Sequence, residues 1–97
     1  MNYGISREEE AKLPKFNSHA EARMYFKDKY GADFMITNSE VIDGEKIYFY
    51  KLILDREAYC DMMAHLEVNG YVPANEKYLF SSQDIQIHEN GFVHIIH

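Results

Sequence analysis

The chain has 97 residues, the size of one ordinary domain, and its 46% hydrophobic and 27% charged residues are typical of a globular protein. Eight tyrosines and six phenylalanines exclude a disordered chain, and the single cysteine, Cys60, excludes an internal disulfide. The net charge is −6, and residues 52–97 carry only two Lys/Arg against seven Asp/Glu. Because Lys and Arg drive binding to a polyanion, nucleic acid is not expected as a partner.

The first residues do not resemble a secretory signal. They are followed by Glu8, Glu9 and Glu10 in place of a basic region and an apolar core. No apolar run approaches the roughly 20 residues that a membrane-spanning helix needs. With a free thiol and no export signal, the sequence predicts a cytoplasmic protein without membrane contact.

Two capping motifs organise the N-terminal third of the chain. Residues 1–17 form an arm in which Ser6-Arg7-Glu8-Glu9 predicts a short helix near residues 7–12. Ser18-His19-Ala20-Glu21 is a second capping box, and Gly31 suits a helix end, so a main helix is predicted between them. The apolar stripe that should pack this helix on a core consists of Ala22, Tyr25, Phe26 and Tyr30.

Asp43-Gly44 predicts a tight turn between two strands, 34–42 and 45–54, because both central residues of a type I′ turn need positive φ. A two-residue loop would place Ile42 opposite Glu45 and continue in regular register along both strands. One face of this hairpin then carries six large apolar residues and is predicted to be core. Its residues are Phe34, Ile36, Ile42, Ile47, Phe49 and Ile53.

The other face of the hairpin is rich in tyrosine. It carries Tyr48, Tyr50, Met35 and Leu52. Tyrosine combines a large apolar area with a polar tip and is enriched at protein interfaces. We therefore predict that these four residues form an interface, with another protein or with a second copy of the chain. The alternative is that a helix or a second subunit covers this face as part of a core.

Asp55 is a suitable N-cap and Gly70 a suitable stop, so a second main helix is predicted to run to about Asn69. Residues 71–83 give no clear pattern. Asn90-Gly91 then predicts a second hairpin, with strands 84–89 and 92–97. The apolar stripe of the second helix, predicted to be buried, consists of Tyr59, Met62, Met63 and Leu66.

These elements predict one α+β domain over residues 1–97. The simplest architecture is an antiparallel sheet of two β-hairpins, with four or five strands and both main helices packed on one face. The element order would be α-β-β-α-β-β.

The histidines and the cysteine are the residues to consider for chemistry. A two-residue turn at Asn90-Gly91 would pair Ile87 with His94, on the core face and away from His88, which argues against a metal site. Cys60 and His65 lie five positions apart on the second helix, about 140° around its axis, too far for a thiolate–imidazole pair. No motif indicates an enzyme, and no metal or cofactor is expected.

The function expected from the sequence is that of a non-enzymatic, acidic protein-binding or regulatory module. It would act through the tyrosine-bearing sheet surface on another protein or on a second copy. The alternative is a small-ligand or metal-binding domain with a pocket between sheet and helices. The residues to examine in that case are His65, His94 and Cys60.

Overall fold

The structure, a computed structural model, describes residues 4–72, 78 and 80–96. Its four strands form one antiparallel sheet in the order β1-β2-β3-β4. The predicted α+β class is confirmed. The short helix predicted near residues 7–12 is present, and this helix and a 3₁₀ turn add to the predicted order of main elements. The elements are α1 (Arg7–Ala11), α2 (His19–Tyr30), the 3₁₀ turn (Gly31–Asp33), β1 (Phe34–Ile42), β2 (Glu45–Ile53), α3 (Arg56–Asn69), β3 (Ser82–His88) and β4 (Val93–Ile95). Residue 97, the predicted end of the second hairpin, lies outside the described residues.

Both main helices begin at their predicted caps. The Ser18 hydroxyl accepts a hydrogen bond from the backbone N–H of Glu21 at 3.2 Å, and the Asp55 carboxylate accepts one from Ala58 at 3.0 Å. Each bond satisfies a backbone donor that the first helical turn leaves free. α3 ends at Gly70, which takes the left-handed conformation at φ 75°. The bounds predicted for α3 are therefore confirmed.

The first hairpin has the predicted turn. Asp43 and Gly44 have φ values of 52° and 80°, as a type I′ turn requires. Ile42 lies opposite Glu45, so the register that the turn predicts is confirmed at this end of the strands.

A β-bulge at Thr37 then changes the register. Thr37 is an extra residue in β1, and its hydroxyl donates a hydrogen bond to a β2 carbonyl at 3.2 Å. Because side chains alternate between faces, one extra residue moves Phe34 to the face opposite the predicted one. The pairs on either side of the bulge are Asn38–Phe49 and Ile36–Tyr50.

The main core lies on the Tyr50 face of the sheet, under α2. Tyr50 is 2% exposed, and its ring stacks on Phe34 with 4.4 Å between centroids. Phe26 of α2 is fully buried and stacks on Phe34 at 5.2 Å. The prediction that the opposite face carries the core is therefore wrong. The buried cluster consists of Ile5, Ala22, Phe26, Phe34, Tyr50, Leu52, Ile85, Ile87 and Ile95.

The predicted core face is only partly covered. Ile47 and Ile53 are buried, whereas Phe49 is half-buried. Ile36 and Ile42 are exposed at 52% and 45%, which contradicts their assignment to the core. The bulge moves Ile36 to the Tyr50 face but leaves Ile42 on its predicted face, and neither side chain is covered where it lies.

α3 does not pack over the sheet beside α2, contrary to the prediction. Ala58 is its one buried residue, and no residue of α3 belongs to the core cluster. Its first half is held by an ion pair between Arg56 and Asp33 and by Asp61, which accepts a 2.6 Å hydrogen bond from the Tyr78 hydroxyl. α3 is therefore anchored near its start and is otherwise largely exposed.

The second hairpin has a three-residue loop. The N–H of His88 donates to the carbonyl of Phe92 at 2.8 Å, which leaves residues 89–91 as the loop, with φ 95° at its final glycine. Gln86 therefore pairs with His94. The predicted pairing of His94 is wrong by one residue, and this side chain is exposed on the face away from the core.

Candidate functional site

The four residues predicted to form an interface do not share an open surface. Tyr50 and Leu52 are buried in the core, and Tyr48 is half-buried beside them. Met35 pairs with Lys51 and faces the opposite way, because it lies beyond the bulge. α2 covers the tyrosine face, which is the alternative that the sequence left open. The expectation of an open tyrosine face is therefore wrong.

His19 lies at the margin of this covered face. Its Nε2 is 2.7 Å from the Tyr50 hydroxyl oxygen, and its ring stacks on Tyr48 with 3.5 Å between centroids and 6° between planes. The Tyr48 hydroxyl in turn donates to the Glu89 carboxylate at 2.8 Å. We call His19, Tyr48, Tyr50 and Glu89 the His19 cluster. This cluster was not predicted from the sequence, since its only local signal is a histidine inside a capping box.

Burial governs the charge state of the His19 cluster. Desolvation lowers the pKa of the His19 imidazole, the Glu89 carboxylate opposes that change, and the charges of Arg23 and Lys46 add to it. Burial also raises the pKa of the Tyr50 hydroxyl, which Arg23 opposes. His19 and Tyr50 are therefore both neutral at neutral pH. Their hydrogen bond joins the first turn of α2 to β2.

The residues of the small-ligand alternative are not brought together. His65 lies 3.9 Å from the Asp61 carboxylate of its own helix, Cys60 is exposed on α3, and His94 is exposed on β4. Among the described residues, no three His, Cys, Asp or Glu side chains are grouped as metal ligands would be. A cleft of about 670 Å³ between the N-terminal arm, β3 and α3 is lined by none of these three candidates.

A strip of apolar side chains is exposed along α3. Met63 and Leu66 are each 42% exposed, and Tyr59 and Met62 are half-buried. Their spacing of three and four residues places all four on one side of the helix. The prediction that Met63 and Leu66 are buried is wrong, and neither side chain packs against the core cluster. We call Tyr59, Met62, Met63 and Leu66 the α3 surface.

The charges on α3 are mainly negative. The helix carries one cation, Arg56, which is already paired with Asp33. Its carboxylates are Glu57, Asp61 and Glu67. The last turn of the helix carries no basic residue. The negative end of the helix dipole is therefore not compensated by a cation from α3 itself.

No family model matches the chain, and no match is found among curated proteins or solved structures. None of the helices in the described part of the chain is long and apolar enough to cross a membrane.

Proposed function

We propose that the protein is a non-enzymatic binding or regulatory module whose α3 surface docks a basic amphipathic helix of another protein. The observation that supports this is a well-capped helix with an exposed apolar side, Met63 and Leu66 included. Exposed apolar patches with a polar rim mark interaction sites. Amphipathic helices commonly bind by laying their apolar side on such a surface, and α3 replaces the sheet as the proposed site.

Charge favours a basic partner over a second copy. Two copies packed through α3 would bring together helices that each carry three carboxylates and one arginine. A basic helix would instead be steered towards a protein of net charge −6. Its Lys or Arg side chains would pair with Glu67, which lies beside the apolar side, and with the negative end of the α3 dipole.

The test compares two synthetic helical peptides with the same leucines and either Lys or Glu at the polar positions. Binding of each labelled peptide to the full chain is followed by fluorescence anisotropy at low and high salt. We expect the Lys peptide to bind more tightly than the Glu peptide, and added salt to weaken it. Equal affinity for both peptides, or no binding of either, would contradict the proposal.

Matched variants locate the site. Met63→Ser together with Leu66→Ser should abolish binding of the Lys peptide, whereas Met24→Ser should leave it unchanged. Met24 is a suitable control because it is also exposed, at 60%, but lies on α2. Loss of binding in the Met24 variant would place the site elsewhere. A dimer in light scattering that the double variant dissociates would identify a second copy as the occupant and overturn the basic partner.

A further inference from the structure

We propose that His19 is a pH-sensitive latch, which holds the first turn of α2 on the sheet while its imidazole is neutral and releases that turn when it is protonated. The latch is the hydrogen bond from Tyr50 and the stacking on Tyr48, at 2.7 Å and 3.5 Å. This inference is independent of the α3 surface and goes beyond the proposed function.

The neighbours of Tyr50 assign the direction of the hydrogen bond. The positive charge of Arg23 acts on the Tyr50 hydroxyl, and a guanidinium can only donate a hydrogen bond. This charge favours an orientation in which the hydroxyl oxygen of Tyr50 faces Arg23 and its proton is directed to Nε2 of His19. A protonated imidazole would carry a proton on Nε2 as well. The hydroxyl proton of Tyr50, which is 2% exposed, would then lose its acceptor.

The groups around His19 have opposing effects on its pKa. Glu89 favours the imidazolium, and so does the face of the Tyr48 ring, which attracts a cation. Burial, Arg23 and Lys46 disfavour it. The start of a helix also disfavours a cation, and His19 is the first residue of α2. The net result is a lowered pKa for His19.

The pH range in which the latch opens follows from the lowered pKa of His19. The pKa of His19 lies below its ordinary value of 6.5 in the closed state, so the released state binds the proton more tightly. The latch is therefore fully closed above pH 6.5. It weakens as the pH falls from 6.5 to the pKa of the closed state.

The release would extend to the segment before α2. The backbone N–H of His19 donates to the carbonyl of Glu89 at 3.0 Å, which ties the start of α2 to the turn between β3 and β4. In that turn Gly91 lies so close to Phe16 that a Cβ would meet its carbonyl oxygen at 2.5 Å. Opening of the latch would thus loosen residues 16–19 from the turn together.

The experiment is an NMR titration of the full chain from alkaline to acidic pH. It follows the His19 ring and the exchange protection of the Glu21 and Ala22 amides, corrected for intrinsic exchange. Both amides are hydrogen-bonded to Ser18 in the closed state. We expect His19 to titrate with a midpoint below 6.5. We expect the protection of both amides to fall several-fold with the same midpoint.

Three variants test whether the pH dependence of the two amides comes from His19. His19→Gln should remove the pH dependence of the two amides, and His94→Gln, an exposed histidine, should preserve it. Tyr50→Phe should raise the midpoint of His19 towards 6.5, because the neutral imidazole loses its donor. A wild-type midpoint at or above 6.5 would overturn the latch. Unchanged amide protection, or the same loss of protection in His19→Gln, would overturn it as well.

Discussion

α2 and α3 begin and end with the same kinds of residue, yet they have different places in the molecule. Each starts at a side-chain cap, Ser18 or Asp55, and each ends at a glycine. α2 buries Phe26 and Ala22 in the core, whereas α3 buries Ala58 alone. Capping and apolar periodicity are local properties that specify a helix. What lies against its apolar side depends on distant parts of the chain.

The largest effect should come from truncating the buried side of α2. Phe26→Ala removes a fully buried ring that stacks on Phe34, so the free energy of unfolding should fall by about 3–5 kcal/mol. Urea denaturation followed by circular dichroism measures this change. A loss of unfolding free energy as small as that expected on truncating an exposed apolar residue would contradict the core position of α2.

Removing the bulge should leave unchanged the face on which α2 packs. Deletion of Thr37 joins Ile36 directly to Asn38, so Phe34 still lies opposite Leu52 in the core, and the free energy of unfolding should fall by little more than the lost hydroxyl bond. The control is Thr37→Ala, which keeps the extra residue. It loses only the hydroxyl bond to the Phe49 carbonyl, worth about 1 kcal/mol. A much larger loss of unfolding free energy in the deletion variant than in Thr37→Ala would contradict this and show that the extra residue itself stabilises the sheet.

Removing the cap of α2 should affect global unfolding, whereas removing the cap of α3 should mainly affect local unfolding of that helix. Ser18→Ala should lower the global free energy of unfolding by about 1 kcal/mol, because α2 belongs to the core. Asp55→Ala removes the equivalent bond from α3 and should mainly speed amide exchange within that helix, with little change in the global transition. Equal global losses would mean that α3 unfolds together with the core.

The smallest effect on stability should come from the α3 surface. Met63→Ala and Leu66→Ala should each change the free energy of unfolding by less than about 1 kcal/mol, since both side chains are 42% exposed. Urea denaturation of the two variants tests this directly. A loss as large as that of Phe26→Ala would show that this side of α3 is covered.

The sequence alone determined the features that depend on a few neighbouring residues. The caps at Ser18 and Asp55 and the Asp43-Gly44 turn were predictable, because a short polar side chain or a positive φ acts within one turn of the chain. Asn90-Gly91 correctly marked the second hairpin. Its loop length was not predictable, because Asn-Gly fits loops of two and of three residues, and the difference moved His94 to the other face.

Only the tertiary structure decided which faces are covered. In a strand, side chains alternate between the two faces of the sheet, and one extra residue at Thr37 reverses the faces of the β1 residues before it. The amino-acid pattern of β1 does not mark where that residue is inserted. The His19 cluster joins residues from α2, β2 and the β3–β4 turn, so no spacing along the chain could reveal it. The exposure of Met63 and Leu66 likewise depends on which parts of the fold pack against α3. Local hydrogen bonds specify elements, but burial is a property of the assembled fold.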